Sequence, residues 1–127
     1  MKWEFPTRQV VEALHAEQLR RHGGASGIRD ENALESALHR AVNKAAYGQP
    51  DVFELTAAYA FGLARNHPFV DGNKRTAIVT AMLFLALNGR RMTADDGHLY
   101  VFTMSLAAGE IDEAGAAAFF RDHSEQT

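Results

Sequence analysis

At 127 residues and 46% apolar content, the chain is sized for one compact domain, residues 1–127, with a genuine core. Its 13 basic and 16 acidic residues leave a formal charge of -3, which excludes the broad positive field that gathers nucleic acid or anionic lipid. Direct nucleic-acid binding and a membrane partner are therefore not expected, and the absence of cysteine excludes disulfides and thiolate metal sites.

Met1 to Pro6 lacks the apolar stretch of an export signal, which together with the missing cysteines points to the cytoplasm. Thr7 to His22 reads as a first helix, with Val10, Val11 and Leu14 inward and Gly23 and Gly24 as its stop. Asp30 is placed to cap a second helix running to about Asn43, where Leu34, Ala37, Leu38, Ala41 and Val42 form an apolar stripe. Lys44 to Pro50 is expected to be an exposed loop. A third helix runs from about Asp51 until Pro68 forces its end, which puts His67 just past a helix terminus.

The fourth helix is expected from Asn73 to Asn88, and its continuous apolar run makes it the predicted buried centre of the fold. That run is far short of the roughly 20 apolar residues of a membrane span. Asp95 or Asp96 begins a fifth helix with Leu99, Phe102 and Leu106 inward. Asp112 caps a sixth, with Ile111, Ala114, Ala118 and Phe119 on its inner side. No segment alternates like a strand, and Ser124 to Thr127 reads as a frayed end. The expected architecture is all-α: about six helices packed around a buried central one.

The segment His67-Pro68-Phe69-Val70-Asp71-Gly72-Asn73-Lys74-Arg75 concentrates polar chemistry between two apolar helices. Gly72 permits a tight turn, after which the N–H groups of Asn73, Lys74 and Arg75 are the unpaired donors of a new helix, a ready anion pocket. Lys74 and Arg75 add positive charge, and Arg75 can grip phosphate oxygens through two parallel hydrogen bonds, so a phosphate chain is the expected ligand. Asp71 is a hard oxygen donor suited to Mg²⁺, which typically takes one or two carboxylates plus substrate phosphates. His67 supplies an imidazole, the side chain most often used as a general base, and suits the deprotonation of an incoming hydroxyl. Phe69 is expected to anchor the loop in the core. Arg65, beside the segment, is a further candidate for a phosphate contact.

HPFVDGNKR resembles the signature of the Fic/Doc family, which is His, any residue, Phe, any residue, Asp or Glu, Gly, Asn, Gly or Lys, Arg. The stretches GIRDENALESALHRA and AAGEI resemble what the family's death-on-curing branch carries on either side, so the likeness covers nearly the whole chain. It implies an all-helical fold, His67 as catalytic base, Asp71 as the Mg²⁺ residue, and Gly72, Asn73 and Arg75 as phosphate binders. AMP-transferring relatives have Gly where this chain has Lys74, and a second Arg where it has Ile78. The death-on-curing branch, which shares the Lys, is similar to a protein kinase, so the likeness implies transfer of the terminal phosphate of ATP.

The same resemblance implies the toxin of a toxin-antitoxin pair, acting on an elongation factor of the translation machinery and silenced by a separate small antitoxin protein. Some relatives inhibit themselves with Ser or Thr followed four residues later by Glu, a pattern missed by one position at Ser26 to Asn32. It also makes Lys44 to Pro50 the counterpart of a target-holding flap, with Tyr47 as a target contact. Transfer of AMP or UMP to a protein hydroxyl, and a non-catalytic module that blocks translation by docking alone, are the competing expectations. His15, His22, His39, His98 and His123 lack metal-ligand spacing and read as structural, with His15 and His39 on the polar faces of their helices. Glu31, Glu35 and Arg40 read as a solvated face.

Overall fold

The computed structural model describes residues 2–127. Six helices follow in chain order: α1 (Arg8–His22), α2 (Glu31–Tyr47), α3 (Val52–Asn66), α4 (Asn73–Leu87), α5 (Asp96–Ala107) and α6 (Glu113–Asp122). Four begin as the sequence requires, with the side chains of Asp30, Asp51, Asp95 and Asp112 each accepting from a backbone N–H in the first turn. Asp51 and Glu54 complete a reciprocal capping box at the start of α3. No helix among the described residues is long and apolar enough to cross a membrane.

The centre of the bundle is α3, not α4. It buries Leu55 to Ala60, Gly62, Leu63 and Ala64, and packs against α2, α4 and α6. Its small residues make this possible: a Cβ at Gly62 would lie 3.3 Å from the Cα of Ala37, so the α2 and α3 backbones approach as closely as glycine permits. By contrast α4 buries only Thr76, Ala77, Thr80, Ala81, Phe84 and Leu85, and Leu87 is exposed. Large apolar side chains made α4 look central, whereas close helix packing favours the Ala- and Gly-rich neighbour. Phe84 sits among Tyr59, Phe5 and Trp3, with ring centroids 5.3, 5.8 and 6.4 Å away. The N-terminal segment is tied over this cluster by Asn88, whose side chain pairs with both the N–H and the carbonyl of Glu4.

Several expectations give way. Arg90–Met92 (β1) and Ser124–Gln126 (β2) form a two-stranded antiparallel sheet, with Arg90 opposite Gln126 and Met92 opposite Ser124. The C-terminal residues are therefore held rather than frayed, and the Thr127 N–H donates to Gly89 O at 2.9 Å. Strands of three residues are too short to carry an alternating pattern. Helix α2 continues through Tyr47, because Lys44, Ala45 and Ala46 propagate it and Lys44 reaches Glu113 on α6 at 2.9 Å. Only residues 48–51 connect it to α3. Val10 and Val42 are exposed, and α6 buries Ala116, Ala117 and Phe120 rather than Ala114 and Ala118, since an alanine-rich run gives its inward face little phase. Glu31 and Glu35 both pair with Arg8 and so link α2 to α1, and Arg40 pairs with Glu113.

Thr76 and Thr80 are fully buried one turn apart, and neither Oγ1 has a hydrogen-bond partner. A buried hydroxyl without a partner costs free energy that a methyl group in its place does not. Thr80→Val is expected to stabilise the fold by up to ~1 kcal/mol. Thermal unfolding should show a higher Tm for the variant.

Candidate active site

The junction of α3 and α4 is built around a residue in an unusual conformation. Helix α3 ends at Asn66, and His67 follows with φ 48° and ψ 56°, the only non-glycine residue of positive φ among the described residues. Pro68 and Phe69 are buried, whereas His67, Val70 and Asp71 are exposed. The loop thus hangs from the core by two apolar side chains and presents its polar ones outward. Phe69 stacks on His15 with ring centroids 3.8 Å apart, which bears out its role as the anchor.

Gly72 then takes φ 78° and starts α4, whose N-terminus has no side-chain cap. A Cβ at Gly72 would approach Leu19 Cδ2 to 3.3 Å and would be strained at this φ, so glycine is required. The N–H groups of the first turn are left to solvent or a ligand. Lys74 and Arg75 on that turn are exposed, and neither has an ion-pair partner among the described residues. Dipole, free donors and two unneutralised cations coincide at one point.

This point opens into a cleft of ≈ 570 Å³ lined by Asp71 to Arg75 and Ile78 on one side and by Asp96, Leu99, Tyr100, Thr103 and Met104 of α5 on the other. His67 does not line the cleft; it stands on the same loop, outside its wall. A second groove of ≈ 830 Å³, between α5 and α6, includes none of the motif residues. The Asp71 carboxylate accepts the Ala25 N–H on Oδ2 at 3.0 Å, which fixes its orientation and leaves Oδ1 without a hydrogen bond among the described residues. One hard carboxylate oxygen beside a phosphate-shaped donor set matches the way Mg²⁺ is held between protein and nucleotide.

Asn73 lines the cleft but has its side chain bonded to the loop, and Arg65 lies elsewhere. The Asn73 side chain is tied to the loop: its Oδ1 accepts the Phe69 N–H and its Nδ2 donates to Phe69 O, both at 2.9 Å. These two bonds make the side chain a brace of the turn, and the backbone N–H and the second N–H of Nδ2 remain for a ligand. Arg65 is absent from the cleft wall. Its guanidinium packs near Gly109, where a Cβ would meet Nη1 at 2.5 Å, and lies over the Phe61 ring. Its position in the last turn of α3 places it against the α5–α6 connection.

Residues before α2 hold the loop from outside. His15 is not on a polar helix face but buried, with Nε2 donating to Asp71 O at 2.8 Å beneath the metal candidate. Val70 N–H donates to Gly27 O, and Arg29 binds carbonyls at the end of α3. Ile28 and Phe69 form an isolated antiparallel bridge. Spacing alone does not reveal these supports, although three of them, Gly27, Ile28 and Arg29, lie in the GIRDEN stretch.

Comparison with known proteins agrees with this geometry. A model of the Fic/DOC family matches residues 5–85, which include the whole loop from His67 to Arg75. The chain is 38% identical over 110 residues to a protein of Escherichia phage P1 named Protein kinase doc, a match spanning 86% of each chain. It is 42% identical over 76 residues to Toxin Doc of Mycolicibacterium smegmatis, spanning 58% of each. With the signature at an uncapped helix start and a family match across most of its length, the chain belongs to the Fic/DOC family.

Proposed function

We propose that this chain is a Doc-like toxin that phosphorylates a Ser or Thr hydroxyl of a translation protein, an elongation factor, using Mg²⁺ and ATP in the cytoplasm. The observation that carries the reading is the open N-terminus of α4, which has no side-chain cap and where Lys74 and Arg75 have no ion-pair partner among the described residues. Ile78 on the cleft wall supports phosphoryl over nucleotidyl transfer, because AMP-transferring relatives carry a phosphate-binding Arg at that place. The relative named a protein kinase supports the same choice, and the one named a toxin supports a separate small antitoxin as partner.

In this reading the first turn of α4, with Lys74 and Arg75, holds the phosphate oxygens and takes up the charge that spreads over them during transfer. Asp71 would hold Mg²⁺, which when bound supplies neutralisation of the phosphate charge. His67 accepts the proton of the attacking hydroxyl as the new O–P bond forms and the bond from the terminal phosphorus to the ADP oxygen breaks. Asn73 and Phe69 keep the loop rigid while this happens.

Intact-mass measurement of a purified elongation factor after incubation with the chain and Mg-ATP tests the proposal. A single phosphate on the target is expected, and chelating the metal with EDTA should abolish it. An AMP adduct would replace the reading with nucleotidyl transfer. An unmodified target whose translation is still blocked would replace it with inhibition by docking.

A further inference from the structure

His67 pays for its place with an unfavourable backbone. A left-handed residue after a helix is ordinarily glycine, sometimes Asn, because a side chain there crowds the following carbonyl. Here the position carries an imidazole, which fits there less readily than glycine though better than most side chains, and contacts from outside the loop hold the conformation. The carbonyls of three successive residues show what holds it. Arg29 Nε donates to His67 O at 2.7 Å, and its Nη2 donates to Asn66 O at 3.0 Å. The backbone N–H groups of Arg29 and Asp30 both donate to Pro68 O, at 2.7 and 3.1 Å. The Asn66 side chain adds a bond to Ala33 O at 3.2 Å, which ties the same corner to α2.

Arg29 has no carboxylate partner among the described residues. Its cation therefore acts on the C-terminal end of the α3 dipole, and its planar fork spans two adjacent carbonyls in a way that the single ammonium of lysine does not reproduce. We infer that Arg29 is a positioning residue for His67: it locks the left-handed backbone that carries the imidazole on the loop leading into α4. The inference rests on His67 acting as the base in the proposed reaction. Arg29 lines no part of the cleft, so its effect should fall on proton removal and not on nucleotide binding.

The test is a kinetic cycle of wild type, Arg29→Ala, His67→Ala and the double variant. Arg29→Ala is expected to lower kcat ~10- to 100-fold, the penalty of a reacting group misplaced by about an ångström. The KM for ATP should change less than ~3-fold, because no ground-state nucleotide contact is lost. In the His67→Ala background the same change should have almost no further effect, since the group it positions is already gone. Equal losses in both backgrounds, or full activity in Arg29→Ala, would overturn the assignment. Arg29→Lys, which keeps the charge and one bond, is expected to recover only part of the rate and serves if the alanine variant does not fold. A wild-type chain that transfers nothing sinks the reaction reading by itself. In that case NMR still decides about Arg29: its removal should shift the His67 ring and the Asn66 and Pro68 backbone signals, and unchanged signals there overturn the role.

Discussion

His67→Asn is expected to lower the rate of phosphoryl transfer ~10²- to 10⁴-fold, the usual contribution of a positioned general base. Asparagine is the informative replacement because, like histidine, it tolerates the left-handed backbone at this position better than most residues do. The variant should keep the Tm of wild type, since the His67 side chain is exposed and makes no hydrogen bond among the described residues. ATP affinity should also persist, because the imidazole stands outside the wall of the cleft. Rate measurements with saturating target and nucleotide check this directly. A His67→Asn protein of undiminished rate would remove histidine from the role of base.

Phe69→Ala should produce the largest loss of stability. The ring is 2% exposed, stacks on His15, and is the apolar peg by which the His67–Arg75 loop hangs from the core. Removing a buried phenyl costs ~3–5 kcal/mol. For a domain of this size that corresponds to a fall in Tm on the order of 10 °C or more. The damage should be local as well: Asn73 bonds both the N–H and the carbonyl of Phe69, and His15 bonds Asp71 while stacking on the ring. Val70→Ala, at a residue 50% exposed in the same loop, is the control and should leave Tm almost unchanged. Thermal unfolding of the two variants side by side reads the contrast.

Much of this was legible in the residues themselves. Aspartates before apolar runs marked four helix starts, Gly72 marked a turn into α4, and the spacing of Asp71, Lys74 and Arg75 put them around that helix start, with His67 on the loop before it. What stayed hidden depended on long-range contacts. His15 lies 56 positions from Asp71 and Arg29 lies 38 from His67, and no local period connects them. The centrality of α3 was hidden for a different reason, because alanine and glycine bury little area themselves yet allow helices to approach most closely. The side-chain role of Asn73 is likewise set by Phe69, an apolar neighbour whose backbone matters more here than its ring. The C-terminal strand was masked by polar residues, Ser124, Glu125 and Gln126, that pair through their backbones.

An amide NMR titration with Mg-ATP tests most directly whether the start of α4 is the seat of the phosphates. Signals of Gly72, Asn73, Lys74 and Arg75 are expected to move together, and Arg75→Ala should weaken that response. Saturating nucleotide that leaves those four amides unmoved, or that moves instead the residues of the α5–α6 groove, would contradict it.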